Sequence, residues 1–224
     1  MTVPDPVSRH VAELERMLHG PARARRSMLR EVRDGLDDAV TAYRECGVDA
    51  EWAAALAVRD FGPLHEVAPQ FQDELAARQG RWTAALLTVG FPGMMLGWDL
   101  VWRGSASTHH VPPSLLTIVL ARVEDAASVL VGAAALVLLA LSFSRAASPR
   151  RIASHVGRLA VVGALVTTGT AVLMSLSSAS AASVVLIANP YALPAYVASG
   201  LMFVVVMRTA LRTLRTAGAH SPKT

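Results

Sequence analysis

Three carboxylates, Glu31, Asp34 and Asp38, stand at i, i+3 and i+7 in a segment of helical periodicity. That spacing puts all three on one helix face, opposite an apolar stripe of Leu29, Val32 and Leu36. Such a face is either a solvated surface or an acidic docking surface for a basic patch on a protein partner. Arg23, Arg25, Arg26 and Arg30 lie close by in sequence and read as surface charge, with anionic lipid headgroups as the alternative contact. Asp99 differs in kind, because it interrupts an apolar stretch long enough to span a bilayer. An ionisable residue there is a candidate for a membrane function, although its position beside Trp98 and Trp102 also lets it reach headgroup water. His109-His110, with Glu124 and Asp125 further on, has the donor types of a metal or proton site. Two adjacent histidines are poorly placed to chelate one ion, so a solvated loop is the simpler reading.

No constellation for catalysis accompanies these groups. HExxH, CxxC, GxSxG, a phosphate loop and a dinucleotide fingerprint are all missing from the sequence. Cys46 is the single cysteine, which excludes an intramolecular disulfide and a cysteine-based zinc site. The reading is therefore of a protein that is not an enzyme, with no catalytic, cofactor or metal residues.

The elements that position these residues fall into two parts. Residues 1–81 carry eleven arginines against fourteen acids, a net of −3, whereas residues 82–224 carry ten basic residues against three acids, a net of +7. Together these make the +4 of the whole chain. The basic pI near 10.0 thus reflects cationic segments beside apolar ones and does not point to nucleic acid.

In the first part, Asp5-Pro6 predicts an N-cap and first helical residue, followed by Val7, Val11, Leu14 and Leu18 at helical spacing and a stop at Gly20-Pro21. A second helix is predicted from about Pro21 to Cys46, with Leu29, Val32, Leu36, Val40 and Tyr43 as its stripe and Gly47 as its stop. Gly35 within it costs about 1 kcal/mol relative to alanine. Asp49 caps a third helix carrying Trp52, Ala55, Leu56 and Val58 and ending at Phe61-Gly62-Pro63. A fourth amphipathic stretch carries Leu64, Val67, Phe71 and Leu75, with a kink expected at Pro69. Trp52 and Phe61 are expected in the core of this bundle, rather than as an aromatic contact for a partner. Gly80 is the candidate hinge after it.

From Arg81-Trp82 to Trp102-Arg103 runs a stretch of roughly twenty residues, the length at which a helix crosses about 30 Å of hydrocarbon. Further spans are expected at Ala126–Phe143, Leu159–Leu176 and Leu186–Met207. Asn189-Pro190 and Pro194 suggest that the last starts late or is kinked. The segment Ser114–Leu120 reads as a short interfacial helix or an early start of the second span. Gly93 and Gly97 have the spacing that lets membrane helices approach closely, within the chain or between two copies. Arg145, Arg150, Arg151 and Arg158 crowd the second connection, and Arg208, Arg212, Arg215 and Lys223 follow the last span. By the positive-inside rule both termini are cytoplasmic, in a multi-pass protein of the cell membrane. No apolar signal-peptide core lies near Met1, so the first span is expected to act as an uncleaved anchor. The fold class predicted is all-α: a small cytoplasmic helical bundle at 1–79, then a four-helix transmembrane bundle at 80–224.

One run in the first part resembles a known family. Leu18-x-Gly20-Pro21 precedes Leu29-Arg30-Glu31-Val32-Arg33-Asp34-x-Leu36-Asp37-Asp38-Ala39, and Gly47-Val48-Asp49 precedes Ala57-Val58-x-Asp60-Phe61-Gly62. The run closes on Val67-Ala68-Pro69-x-Phe71-x-x-Glu74-Leu75. Over about residues 7–78 this resembles the HAAS-type signalling domain, also called the permease prefix domain, with Gly35 departing from the polar residue often found there. The resemblance implies a bacterial membrane protein with a cytoplasmic helical signalling module, often paired with a PadR-like transcriptional regulator. Related prefixes on transporter permeases imply the alternative, an accessory or membrane subunit of an ATP-driven transporter. The expected function is a membrane-anchored regulator or scaffold. Its expected partners are a cytoplasmic protein, through the face of Glu31, Asp34 and Asp38, and membrane lipid.

Overall fold

The computed structural model describes residues 5–104, 114–144, 148–177 and 190–218. Among them are seven α-helices and no strand: α1 (Pro6–Met17), α2 (Ala22–Glu45), α3 (Ala50–Phe61), α4 (Leu64–Gly104), α5 (Leu115–Leu141), α6 (Pro149–Ser177) and α7 (Ala192–Gly218). The all-α expectation is met. The described residues form two compact units, 5–78 with 215–218, and 79–214.

Local chemistry sets the ends of the short helices. The Asp5 carboxylate accepts from the Ser8 amide at 3.3 Å, with Pro6 at the first helical position. Asp49 accepts from the amides of Glu51 at 3.2 Å and Trp52 at 3.5 Å, which otherwise lack intrahelical partners. Gly47 and Gly62 take φ of +85° and +95°, where a side chain would be strained, and so stop α2 and α3. The faces these helices turn inward carry Val7, Leu14, Leu18, Leu29, Leu36 and Leu75, all buried in one cluster. Each such side chain contributes about 1.5–3 kcal/mol through loss of water contact. Phe61 packs against this core, but Trp52 does not. It is 68% exposed, because it sits on the face of α3 away from the buried Ala53, Ala54 and Ala57.

Gln72 closes this unit. Its amide donates to the carbonyls of His19 at 2.8 Å and Thr216 at 3.0 Å, and its carbonyl accepts from the His19 amide at 2.9 Å. At 2% exposure it satisfies three backbone groups of two distant segments. Thr216 is buried as well, its methyl 3.4 Å from where a Cβ on Gly20 would stand. The last turn of α7 is therefore part of the first unit, which a division at residues 79 and 80 had not included.

The second unit contains helices of the length and composition to cross a membrane: the region of α4 ending at Arg103, and α5, α6 and α7. The chain is a multi-pass membrane protein. Its internal seam mixes small residues, with Ala84, Ala135, Ala160, Ala164 and Ala210 buried, and a few large ones such as Leu87, Val156 and Val206. A Cβ on Gly163 would stand 2.9 Å from Val131, so that glycine is needed for the approach of α5 and α6. Large aliphatic side chains point outward, among them Val89, Leu130, Leu165, Leu173 and Leu201. Hydrocarbon tails are as apolar as leucine and accept them without penalty. Polar pairs fasten α4 to α7: Thr83 and Thr213 hydroxyls lie 2.8 Å apart, fully buried, and Trp98 Nε1 donates to Ser199 Oγ at 3.0 Å.

Several expected boundaries move. Gly80 is no break, since α4 runs from Leu64 to Gly104 through Pro69 and Gly80 alike. A Cβ on Gly80 would meet the Cβ of Ala153 at 3.1 Å, so close packing accounts for the glycine. Ser114 caps α5, accepting from the Thr117 amide at 3.2 Å, and the run after it is the early start of that helix. Arg150, Arg151 and Arg158 lie on α6, and Arg208, Arg212 and Arg215 on α7, rather than in connections. Arginine is a good helix former, and its long stem reaches water from within a helix. The last span starts at Ala192, after Pro190, as its prolines suggested, whereas Asn189 lies outside the described residues.

Candidate functional site

The helical unit carries an open groove of about 500 Å³ between α2, α3 and the start of α4. Its floor is apolar: Val32 and Leu36 from α2, Ala57 and Phe61 from α3, and Phe71 from α4. Phe61 and Phe71 stack at 6.3 Å between centroids and are half-buried, so part of each ring faces the groove. The His10 ring meets Phe61 edge-on at 5.4 Å. Burial there holds the imidazole below its ordinary pKa, the nearby Glu13 opposing the shift.

The rim is acidic. Glu31 and Asp60 border the groove from α2 and α3, and Gly35 follows Glu31 by one turn. Asp60 accepts from the Tyr43 hydroxyl and, at 3.3 Å, from the Arg59 guanidinium. The Tyr43 bond is the main reason the Asp60 carboxyl titrates below its ordinary value and the Tyr43 phenol above its own.

Helical periodicity sorts the remaining charges of α2. Starting from Glu31, the positions near the same angle are Ser27, Asp34, Gly35, Asp38, Ala42 and Glu45, a strip without a basic residue. Arg26, Arg30, Arg33 and Arg44 fall on the far side together with Asp37. The three predicted acids Glu31, Asp34 and Asp38 are all exposed, and the groove runs along the boundary between their strip and the buried stripe. Only Glu31 of the three borders it directly. Of the arginines proposed for lipid, Arg25 is engaged within the domain, 3.5 Å from Glu15 and 3.4 Å from the Leu18 carbonyl, while Arg23 and Arg30 are exposed.

Compared with protein-family models, curated proteins and solved structures, the chain finds no match.

Asp99 pairs with Arg103 one turn further along α4, at 2.6 Å, with both side chains more than half exposed. A carboxylate neutralised on its own helix in this way needs no other charge partner. His109 and His110 lie outside the described residues, and no cluster of three or more metal-donor side chains occurs among those described. Among the described residues nothing stands within 4 Å of a Cβ placed on Gly93 or Gly97, so neither is a close-packing point against them. Two groove residues are not legible as such from spacing alone: Gly35, which stands in the sequence as a weak spot in its helix, and Asp60, which stands there as part of a motif. A glycine at a solvent-facing helix position beside an apolar stripe was the available signal.

Proposed function

We propose that the chain is a regulatory or scaffold protein of the cell membrane, with both termini in the cytoplasm. Its helical domain binds a cytoplasmic protein, a PadR-like transcriptional regulator being the partner that the resemblance of residues 7–78 implies. The carrying observation is the groove, half-open aromatic surface bordered by acids of one sign. Apolar area with a charged border is the composition of a protein-binding surface. The membrane helices hold this surface at the bilayer, and α4 and α7 each contribute residues to both units. A signal carried along them changes partner binding only if the partner distinguishes two states of the domain.

In-cell crosslinking and pull-down with the intact protein tests this reading against a variant carrying Asp34→Arg and Asp38→Arg. Recovery of a transcriptional regulator by the parent and its loss from the variant is the expected result. Recovery of an ATPase by both would replace this reading with that of a transporter accessory. Background alone from both would remove the mechanism.

A further inference from the structure

Resting on that partner-binding reading, we infer that the groove takes an amphipathic helix with basic flanks, and that Gly35 is the point of closest approach. Three independent features of the groove agree on this occupant.

The floor offers a strip of apolar surface between two helices, Val32 and Leu36 on one side and Phe61 on the other. That is the shape a helix fills with side chains at i, i+3, i+4 and i+7. The groove, about 500 Å³, is open to solvent along its length and leaves this apolar strip accessible.

Gly35 supplies the second feature. It lies in the interior of a 24-residue helix, where alanine would be favoured, and is solvent-exposed. Nothing stands within 4 Å of a Cβ built on it, so no contact inside the domain requires a glycine there. Its φ is not positive, so backbone conformation does not require one either. What remains is room on the rim for another backbone to come close.

Charge is the third. The α2 strip next to the groove holds Glu31, Asp34, Asp38 and Glu45 with no cation, while Arg26, Arg30, Arg33 and Arg44 stand on its other side and Arg25 pairs with Glu15. On the α3 side, Asp60 is matched by Arg59. The border along α2 therefore selects lysine and arginine on the incoming helix and rejects acids.

The test uses the full chain in phosphatidylcholine nanodiscs, with empty discs as blank. The probe is a fluorescent helical peptide of about sixteen residues with a leucine stripe and lysine flanks. One control peptide carries glutamate for lysine, and another is scrambled so that the stripe is lost. Gly35→Leu is the informative variant, because leucine is the better helix former and its Cβ meets nothing within 4 Å among the described residues. Its melting temperature should be unchanged or raised while peptide affinity falls by about tenfold or more. Neutralising Glu31→Gln, Asp34→Asn and Asp38→Asn together should weaken binding by about tenfold at low salt and flatten its salt dependence. Asp37→Asn, on the arginine side, should stay within about twofold.

Equal binding of the glutamate or scrambled peptide overturns the inference, as does full affinity in Gly35→Leu. No peptide binding, with self-association of the chain abolished by Gly35→Leu, would assign the groove to a second copy instead. A regulator recovered from cells by both the parent and Gly35→Leu leaves the partner reading standing and removes the groove from it. Peptide binding with no partner recovered from cells does the reverse.

Discussion

The two units of this chain differ in the balance of side chains they bury and expose. In the helical unit the enclosed residues are large, led by Leu14, Leu18 and Leu75. In the membrane unit alanines make up much of the enclosed surface beside a few large residues such as Leu87, Val156 and Val206, and many other leucines and valines stand outside. Water explains the first arrangement, since removing large apolar surface from it is what stabilises a small bundle. Hydrocarbon explains the second. It gives no reward for hiding a leucine, so packing distance and buried hydroxyl pairs such as Thr83 with Thr213 decide the interior. An outward-facing leucine thus has a different structural weight in the two halves of one sequence.

Leucine truncation should expose that contrast most strongly. Leu14→Ala, at a site with 0% exposure, should destabilise the helical unit by about 2–5 kcal/mol. Leu165→Ala, 56% exposed on α6, should change stability by less than about 0.5 kcal/mol. Hydrogen exchange on the full chain in micelles reads both, with α1 to α3 losing protection in the first variant only. Similar effects at the two sites would erase the contrast.

Enlargement should invert it. Gly163→Leu forces a side chain against Val131 and should cost about 3 kcal/mol, the upper end for overpacking. In Gly93→Leu the new Cβ meets no described atom within 4 Å, and the change should be close to neutral for the isolated chain. Thermal unfolding in micelles compares them. A penalty at Gly93 comparable with that at Gly163 would show that Gly93 packs against a second copy.

Gln72→Leu sharpens the comparison at the residue that gathers the first unit. It keeps much of the volume but leaves the His19 amide and the carbonyls of His19 and Thr216 without their partner. A loss of about 1–3 kcal/mol follows from buried groups left unsatisfied. Exchange should rise at His19 and in the last turn of α7, while the seam of Thr83 and Thr213 keeps its protection. Unchanged exchange at both places would mean that water replaces the amide without cost.

Periodicity made the elements legible because each helix meets one solvent on one side. Val7, Val11, Leu14 and Leu18 marked α1, and Asp49 with Gly62 marked both ends of α3. Helix ends at the membrane were not legible, since nothing in hydropathy tells a helix to stop where hydrocarbon stops. Arg208 and Arg212 therefore looked like connection and proved to be helix. The acids of α2 could be placed on a face by spacing alone. Their relation to a groove could not, because Phe61 and Phe71 reach it from helices whose packing the α2 pattern does not encode. Trp52 failed for the same reason, its size suggesting a core that the small residues of α3 fill instead.

The smallest effect should come from the surface contact that holds the rim of the groove. Tyr43 donates to Asp60, which lies seventeen residues away on α3, so the bond joins the end of α2 to the end of α3. The carboxyl of Asp60 is held below its ordinary value, so its contribution is complete above about pH 4 and lost as acid carries it through the lowered value. The phenol of Tyr43 is held above its ordinary value, so its contribution is complete below about pH 10 and lost as base carries it through the raised one. Tyr43→Phe removes both and should narrow the pH plateau of the melting temperature at its two ends, leaving only a slight change at neutral pH. Both groups are exposed, and solvent screening keeps the effect small. Parallel melting curves for parent and variant across the whole range would show that α2 and α3 keep their spacing through the buried cluster alone. The groove would then owe its width to Leu36 and Ala57 beneath it, and its acidic rim would be free to move when a basic helix arrives.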